Sequence, residues 1–495
     1  MYLGLDIGTS VTKAAIFDSA GREIADVSFR TRQVQGPVGW SELNGETVWR
    51  AVISAIGAVL KNADAKPADL KGIGVTGVMV GAWLLDDQGR LLRDAILWND
   101  ARSHSLVERI LQREPELFSR VFAHSGSVMQ FGCTLPVLAW LKENEPEALA
   151  KARHVLCAKD YIRYRLTGEL ATDESEAAMA PGSAATRDFH ADQFDLLGIP
   201  ELAPLFVPVR RGETMAGRVT REAAEATGIL EGTPVAVGTG DTGSCVIGSG
   251  CQAPGEAATI LGTTCINGIV FDHDVYQPKD NGLLFILPGN RWFKAMPNVA
   301  GTVVIDWGME ALGAPSGDYE AFGALAASSR AGCNGVIFVP YLSASGVIAP
   351  VIEPRARAGY FGLAPHHARK DMARAIYEGM AYAIRDSFAS IGGEVATMRL
   401  SGGGARSPFW SQMIADVTGI PVDVPEGSQF GAKGAALCAA VATGAYASLA
   451  EACAATYASR RRHEPNAARE ADYAEGYGRY LTARSAALGP LTALQ

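Results

Sequence analysis

The sequence predicts an α/β fold made of two similar domains that face each other across a cleft. Its 495 residues exceed one ordinary domain, since domains usually contain about 100 to 200 residues. Strand and helix patterns alternate along the chain, which is typical of α/β architectures. A strand followed by a Gly-Thr turn occurs at Gly8-Thr9 and again, about half a chain later, at Gly262-Thr263. Such a repeat indicates two copies of one supersecondary unit.

Composition and charge narrow the class of protein. Apolar residues make up 48% and charged residues 20% of the chain, as in soluble globular proteins. The 44 basic and 53 acidic residues give a net charge of −9, so we expect neither nucleic acid nor a membrane as a partner. Eight cysteines without zinc-ligand spacing indicate reduced thiols, and Asp6 interrupts the first apolar run, unlike a signal peptide. We therefore expect a cytoplasmic protein.

The first half is predicted to open with a β-hairpin. Residues 2–6 form a strand pattern that enters the Gly-Thr turn, and residues 11–17 resume a β-rich run. Periodicity and turn residues then define the later elements. These are a helix over 46–60, a strand over 72–75, a mainly helical region over 138–170 and a connector over 201–232.

The second half repeats the opening pattern, because a strand over 257–261 breaks at the second Gly-Thr turn and the chain runs on to Phe271. A helix is expected to begin at Ser407-Pro408, since serine is a preferred cap and proline suits the first turn. The other expected elements are strands over 336–339 and 395–400, a helix over 369–388, a buried helix within 434–450, and a packed amphipathic helix carrying Tyr473, Tyr477 and Tyr480.

The first Gly-Thr turn carries residues suited to a phosphate group. The backbone N–H groups and hydroxyls of Thr9 and Ser10 could approach a phosphate at the end of the first strand. Asp6 could hold Mg²⁺ through water, because that ion favours carboxylates and retains water ligands. Lys13 could add a positive charge. The alternative for this motif alone is a capped β-turn with a surface lysine.

Two further turns favour a nucleotide site over that alternative. Gly262 and Thr263 would place a second phosphate-sized turn on the second domain, so that two turns clamp one nucleotide. A third glycine-rich turn, Gly402 to Gly404, follows a predicted strand and could admit a nucleoside closely. The three turns together predict a nucleotide between the domains.

Asp241 is the candidate for proton transfer. It lies within Gly238 to Gly243, which formally matches G-x-G-x-x-G, but a dinucleotide fold needs an acidic residue about 20 positions further on. That position is Thr263, so we interpret the match as accidental. A carboxylate among small residues at a strand end can reach a substrate hydroxyl as a general base. The alternative is an aspartate that only caps the next helix.

Six segments carry the motifs of one known family. They are Leu5-Asp6-Ile7-Gly8-Thr9-Ser10 with Lys13, Leu261-Gly262-Thr263-Thr264, Ser401-Gly402-Gly403-Gly404-Ala405-Arg406-Ser407-Pro408-Phe409-Trp410, Ala358-Gly359-Tyr360-Phe361-Gly362-Leu363 followed by Asp371-Met372-Ala373-Arg374-Ala375-Ile376-Tyr377-Glu378, Leu97-Trp98-Asn99-Asp100-Ala101-Arg102 and Lys159-Asp160-Tyr161-Ile162-Arg163-Tyr164-Arg165-Leu166-Thr167-Gly168. With them the chain resembles the FGGY carbohydrate kinases of the actin and hexokinase superfamily, from about residue 2 to 485. The resemblance implies two ribonuclease H-like α/β domains flanking a deep cleft, over 1–244 and 254–445, with a C-terminal helical extension over 446–495.

The resemblance also implies an activity and the residues that perform it. The implied reaction is ATP-dependent phosphorylation of a terminal hydroxyl of a small ketose or polyol, with Mg²⁺. Asp241 and Asp6 are the implied catalytic residues, and Asp6 is the implied metal ligand through water. A homodimer is also implied. The implied ATP-binding residues are Thr9, Ser10, Lys13, Gly262, Thr263, Gly403, Gly404, Ala405 and Ser407.

Within the family, the chain is most similar to the xylulokinases, which makes D-xylulose the best single acceptor. The implied substrate-binding residues are Met79, Val80, Asp241 and Thr242. Val80 replaces a histidine of the xylulokinases and Thr242 replaces an asparagine, and the loss of polar groups from a pocket changes which hydroxyls are recognised. The alternatives are another pentulose, a tetritol or a pentitol as acceptor, a superfamily ATPase without a sugar acceptor, a sugar-binding regulator that has lost catalysis, and a dinucleotide oxidoreductase.

Overall fold

The computed structural model describes residues 1–179, 181–489 and 492. In this part of the chain, two large mixed β-sheets form the centres of two domains. The first sheet is built before Gly248 and the second from Glu256 onward. The predicted two-domain α/β architecture is confirmed.

The first half contains fourteen strands and ten α-helices among its described residues. The strands are β1 (Tyr2–Ile7), β2 (Val11–Phe17), β3 (Glu23–Arg30), β4 (Glu42–Leu43), β5 (Gly72–Gly77), β6 (Trp83–Leu85), β7 (Ala95–Ile96), β8 (His154–Leu156), β9 (Thr172–Asp173), β10 (Gly182–Ser183), β11 (Asp188–Phe189), β12 (Val209–Arg210), β13 (Met215–Arg218) and β14 (Pro234–Ala236). The helices are α1 (Gly45–Asn62), α2 (His104–Arg113), α3 (Leu117–Ser125), α4 (Thr134–Asn144), α5 (Pro146–Lys151), α6 (Ala158–Thr167), α7 (Glu174–Met179), α8 (Ala191–Leu196), α9 (Arg221–Thr227) and α10 (Asp241–Gly248).

The second half contains nine strands and seven α-helices in the part that the structure describes. The strands are β15 (Glu256–Leu261), β16 (Cys265–Phe271), β17 (Leu283–Leu287), β18 (Arg291–Asn298), β19 (Ile337–Val339), β20 (Gly359–Phe361), β21 (Thr397–Ser401), β22 (Val422–Pro425) and β23 (Ser459–His463). The helices are α11 (Val303–Ala311), α12 (Tyr319–Ala327), α13 (Arg369–Ile391), α14 (Pro408–Thr418), α15 (Phe430–Ala442), α16 (Leu449–Thr456) and α17 (Glu470–Leu488).

The two large sheets repeat one topology. The first has the order β13-β14-β5-β1-β2-β3 and the second β23-β22-β21-β15-β16-β18-β17. In each, a hairpin (β1-β2 or β15-β16) is antiparallel and the next strand (β5 or β21) joins it in parallel. The outer pairs β14-β13 and β22-β23 also match in direction. The predicted duplication is therefore confirmed over six strand positions.

The two hairpins differ in their turns. Ile7 pairs with Thr12 across the first turn, whereas Leu261 pairs with Cys265 across the second. The second turn is thus one residue shorter. An ungapped alignment of residues 8–17 with residues 262–271 is therefore out of register by one residue after the turn.

Each domain has a core of its own. In the first, Val48, Val52 and Ile56 of α1 pack with Leu3 and Leu5 of β1. In the second, the buried helix α13 packs with strands β15, β16 and β21 in one apolar cluster. Burial of these apolar side chains is the main driving force for each domain to fold.

Helix α15 of the second half packs directly on the first sheet. A Cβ atom on Gly4 of β1 would overlap the carbonyl oxygen of Ala432, and a Cβ atom on Gly74 of β5 would overlap that of Ala435. Glycine alone permits the backbones to approach so closely. The predicted buried helix within 434–450 is confirmed in α15, although it begins earlier, at Phe430.

Close backbone contact continues where α15 crosses α10. A Cβ atom on Gly248 would overlap the carbonyl oxygen of Phe430, and one on Gly434 would overlap that of Ser244. We call the four glycines involved (Gly4, Gly74, Gly248 and Gly434) the glycine seam. It joins the two domains along a line of direct backbone contact.

Three regions contain more β-structure than expected. The predicted connector over 201–232 contains β12, β13 and helix α9, and β13 is an edge strand of the first sheet. The region over 138–170 includes the strand β8, which pairs with β6. The predicted helical extension over 446–495 includes β23, whose pairing with β22 makes it an edge strand of the second sheet. In the rest of that extension, α17 buries Tyr473 and Tyr480, as its helical spacing indicated. Among the described residues, none of the helices combines the length and the apolar character that a membrane span needs.

Candidate active site

The first hairpin places an acid and a base side by side. Asp6 and Lys13 pair across β1 and β2, and Lys13 Nζ lies 3.7 Å from Asp6 Oδ2. The Asp6 side chain is only 15% exposed, against 39% for Lys13. Burial raises the pKa of Asp6, and the charge of Lys13 opposes that shift. The Asp6 carboxylate and the Lys13 ammonium group therefore lie together near the turn that joins β1 and β2.

The turn of this hairpin is closed by its own backbone. Gly8 N donates to the carbonyl oxygen of Val11 at 3.0 Å. Thr9 Oγ1 accepts a hydrogen bond from Trp98 Nε1 at 3.1 Å, while Ser10 is exposed. Trp98 is itself 42% exposed, so a large aromatic face borders the turn. Its part in the site was not predicted, although Trp98 lies within one of the six family-like segments.

Asp241 opens helix α10, and Gly240 holds the capping position. The Oδ1 atom of Asp241 accepts a hydrogen bond from Thr242 N at 2.6 Å, and Thr242 Oγ1 lies 3.4 Å from the same oxygen. Burial and the charge of Asp6 raise the pKa of Asp241 to about 7. Two carboxyl groups from different strand ends therefore influence each other, and one of them changes its protonation near neutral pH. A residue that only caps a helix requires neither a pKa near 7 nor a second carboxyl group nearby, so the role of helix cap alone does not account for Asp241.

This pKa predicts how Asp241→Asn changes stability in the ligand-free protein. An aspartate in an unfolded chain has a pKa of about 3.9, well below the pKa of Asp241 in the folded protein. Ionisation of Asp241 therefore lowers the free energy of unfolding, and this loss is complete above about pH 7. The loss vanishes below about pH 4, where both states are protonated. We expect Asp241→Asn to be more stable than the parent by up to about 4 kcal/mol at pH 8, with the gap closing as the pH falls from 7 to 4. Urea unfolding across this range measures it, and a gap that is constant with pH would contradict the environment described for Asp241.

The glycines around Asp241 serve packing between strands. Gly238 has φ of +79°, and a Cβ atom there would overlap the carbonyl oxygen of Val75 in β5. Gly77 and Gly240 form a parallel bridge, and Thr76 Oγ1 donates to the carbonyl oxygen of Thr239 at 2.7 Å. The G-x-G-x-x-G match is thus explained by close approach of two strands.

The second Gly-Thr turn is enclosed by backbone from two directions. Gly262 O accepts from Thr302 N at 2.7 Å, and Thr263 O accepts from Gly301 N at 2.8 Å. On the other side, Gly402 has φ of +88°, and a Cβ atom there would contact the carbonyl oxygen of Leu261. The second and third predicted turns therefore abut each other.

Two cavities share the third turn as a common wall. One, of about 730 Å³, is lined by Gly403, Gly404 and Ser407 together with Tyr377 and Phe409. The other, of about 710 Å³, is lined by Lys13 of the first domain together with Ser401, Gly402, Gly403 and Ala405 of the second. The first cavity is mostly apolar, which suits a nucleobase, and the second is mostly polar, which suits the phosphates of the same nucleotide. Ser407 also caps α14 by accepting from Trp410 N at 3.2 Å, which confirms the predicted start of that helix.

Met79 and Val80 lie beside the aspartate. A Cβ atom on Gly240 would overlap the thioether of Met79, so Met79 packs against the residue before Asp241. Val80 N donates to Glu176 Oε1 at 2.8 Å, and both side chains are buried. Glu176 was not predicted, because it belongs to a different part of the chain.

The predicted site residues thus fall into four groups. Asp6, Lys13, Asp241, Thr242, Met79 and Val80 meet near the start of α10. Gly262 and Thr263 abut the third turn, and Gly403, Gly404, Ala405 and Ser407 line the cavities. Among the described residues, Thr9 and Ser10 form the first turn without lining either cavity.

Family comparisons agree with this arrangement. Residues 1–248 match the model of the N-terminal domain of the FGGY family of carbohydrate kinases, and residues 257–443 match that of its C-terminal domain. The chain belongs to the FGGY family of carbohydrate kinases. This carbohydrate kinase is accordingly a sugar phosphotransferase built on the two-domain fold of the actin and hexokinase superfamily.

Individual relatives cover nearly the whole of this carbohydrate kinase. It is 33% identical to the xylulose kinase of Escherichia coli K12, over 91% of this chain and 92% of the relative. It is 31% identical to the erythritol kinase of Brucella abortus, over 98% and 96%. Among solved structures, the xylulose kinase of Rhodospirillum rubrum superposes with a TM-score of 0.88 at 26% identity, over 99% of each chain.

Proposed function

We propose that the chain transfers the γ-phosphate of ATP to a terminal hydroxyl of a small ketose or polyol, and that D-xylulose is its first acceptor. One observation carries the proposal: a partly buried carboxyl group with a pKa near neutral, Asp241, lies between the Met79–Val80 loop and the Asp6–Lys13 pair. A general base functions best when its pKa is close to the working pH.

In the proposed reaction, Asp241 accepts the proton of the acceptor hydroxyl. The hydroxyl oxygen then forms a bond to the γ-phosphorus while the bond from that phosphorus to the bridging oxygen of ADP breaks, in line. Lys13 and the backbone N–H groups of the two Gly-Thr turns stabilise charge on the phosphates. The proton on Asp241 returns to solvent as the products leave.

Asp6 is the residue that we propose for Mg²⁺. Burial raises the pKa of Asp6, and burial together with the negative charge of Asp6 raises the pKa of Asp241. A divalent cation would offset the negative charge that these two carboxylates bring together. The donor set of carboxylate and water suits Mg²⁺. When bound, the ion would neutralise charge on the transferred phosphoryl group.

For the nucleotide, we propose that the adenosine occupies the apolar cavity beside Tyr377 and Phe409. The phosphates would then pass Gly403 toward Lys13, through the polar cavity that the third turn shares with the first. Thr9, Ser10, Gly262 and Thr263 belong to the two turns that approach the phosphates from opposite domains. These assignments rest on cavity walls and on the family motifs.

The acceptor proposal draws on the names of relatives. Relatives named xylulose kinase support D-xylulose, and a further relative, of Escherichia coli K12, is named L-xylulose/3-keto-L-gulonate kinase. The relative named erythritol kinase makes a tetritol the second candidate. Val80 offers the acceptor no polar side chain, and Thr242 is engaged with Asp241, so we expect fewer direct hydrogen bonds to the hydroxyls than a histidine and an asparagine would make.

A coupled ADP-release assay over D-xylulose, L-xylulose, erythritol, pentitols and glycerol tests this proposal. We expect kcat/KM to be highest for D-xylulose, by at least about tenfold over glycerol, which fills less of the pocket. A preference for erythritol would establish the second candidate. ADP release that no acceptor stimulates would instead support an ATPase without a sugar acceptor. A homodimer and a cytoplasmic location remain proposals that sedimentation and fractionation can test.

A further inference from the structure

The loop that carries Met79 and Val80 has an unusual backbone. Val80 has φ of +54°, followed by Gly81 at +78°. The left-handed conformation costs a residue with a side chain on the order of 1 to 2 kcal/mol, and a β-branched residue is a rare occupant. Val80 is only 8% exposed, so contacts with solvent do not stabilise its left-handed conformation. Contacts from elsewhere in the fold must stabilise this conformation.

A buried carboxyl group supplies one such contact. Val80 N donates to Glu176 Oε1 at 2.8 Å, across 96 residues of sequence. Burial raises the pKa of Glu176 to about 8, and the charge of Lys159 opposes this only in part. At neutral pH the group is therefore largely an uncharged carboxyl whose carbonyl oxygen accepts from Val80.

Glu176 is in turn fixed by buried polar groups below it. Asp173 Oδ1 accepts from Glu176 N at 3.0 Å, and Lys159 Nζ lies 3.5 Å from the same oxygen. Lys159 also bonds Asp160 at 2.6 Å. All four side chains are buried. In this cluster Glu176 Oε2 and Asp173 Oδ2 have no hydrogen-bond partner among the described residues. The hydrogen bond from Glu176 N to Asp173 anchors the backbone of Glu176, which makes Glu176 a support for Val80.

The loop that Glu176 supports stands next to the proposed base. Met79 packs on Gly240, the residue before Asp241, and Gly81 N donates to Gly132 O at 3.1 Å. A change in the conformation of Val80 would therefore move one wall of the acceptor pocket relative to Asp241. Displacements of about 1 Å between reacting groups can change rates by about 100-fold.

We propose that Glu176 is a positioning residue for the sugar acceptor: it holds Val80 in the left-handed conformation and so sets the shape of the acceptor pocket. The inference deepens the proposed function and rests on it. Glu176 touches neither of the reacting groups in this role, and it acts through the backbone of Val80.

Two substitutions separate the hydrogen bond from the charge. Glu176→Met keeps the length of the side chain but removes the acceptor, and we expect the KM for D-xylulose to rise about tenfold with the KM for ATP changed by less than about twofold. Glu176→Gln keeps a carbonyl oxygen, and we expect it to restore the KM to within about twofold of the parent. Glu174→Met in the same helix is the matched control, because Glu174 pairs with Arg187 instead.

A double-substitution cycle tests the link through Val80. Val80→Gly makes the left-handed conformation nearly free of strain, so Glu176→Met in that background should raise the KM for D-xylulose by about twofold or less. The proposal is overturned if the effect of Glu176→Met is the same in both backgrounds, or if Glu176→Gln and Glu176→Met are equally impaired.

Amide hydrogen exchange tests the same contact without turnover. In the parent protein the Val80 amide should exchange at least about 100-fold more slowly than an unprotected amide, since it bonds to a buried carboxyl group. Fast exchange would overturn the proposal even if Glu176→Met fails to fold. Because this measurement needs no acceptor, a parent protein that does not phosphorylate D-xylulose would contradict the proposed function while leaving the test of Glu176 intact.

Discussion

Asp241→Asn is expected to lower kcat for sugar-dependent ADP release by about 100- to 10,000-fold, the range that loss of a general base usually produces. Asparagine keeps the shape of the side chain and can still accept from Thr242 N, but it cannot take up the proton of the hydroxyl. Since Asp241 is not among the residues that line the two cavities described, we expect ATP affinity, measured by calorimetry, to change by less than about threefold.

A matched control for this substitution is Asp371→Asn. Asp371 is buried, but it accepts from Ser329 and Asn334 and caps α13 in the second domain. We expect it to lower stability while kcat stays within about twofold of the parent. Full turnover in Asp241→Asn would show that another group removes the proton, and a comparable loss in Asp371→Asn would indicate a general effect on folding.

Gly402→Ala is expected to raise the KM for ATP by about 10- to 100-fold. Its φ of +88° and its contact with the carbonyl oxygen of Leu261 leave no room for a methyl group. The methyl would push the third turn away from the second, and both are proposed to hold the nucleotide. The affinity for D-xylulose should change little, since Met79, Val80 and Asp241 lie elsewhere. Steady-state kinetics with each substrate varied in turn measures both effects.

Gly403→Ala provides the comparison for this prediction. A Cβ atom on Gly403 would meet no atom of the described chain within 4 Å, so any loss reports only on the bound nucleotide. We expect a smaller rise in the KM for ATP than in Gly402→Ala. The reverse order would mean that the third turn does not brace the second, and that the nucleotide lies further along the cavity wall.

Local sequence patterns predict those parts of the site whose structure is determined by residues close together in the chain. The Gly-Thr turns, the hairpins around them and the start of α14 follow from residues within a few positions of each other, because turn geometry and capping are local properties. The repeat added the long-range information that two such units exist. Asp241 could be singled out as a carboxylate among glycines, but only the burial beside Asp6 separates a base from a cap.

Contacts between distant segments could not be predicted in this way. The hydrogen bond from Val80 to Glu176 joins residues 96 positions apart, and valine carries no pattern that indicates a left-handed backbone. The strand β23 was missed because its sequence, Ser459–His463, is polar and lacks the β-branched run of a central strand. Its position at the edge of the second sheet explains why charged residues are tolerated there.

The glycine seam has a mechanical consequence for how the two domains can move. Because α10 and α15 touch backbone to backbone at Gly248 and Gly434, sliding of one helix along the other is hindered there. We therefore expect a relative rotation of the domains to pivot about the crossing of these helices. Asp241 is the first residue of α10 and lies close to that pivot, whereas the outer strands of both sheets lie far from it. In a rotation, points near the axis hardly shift while distant points travel furthest. The proposed base would thus stay nearly stationary while the rest of the cleft opens and closes around it.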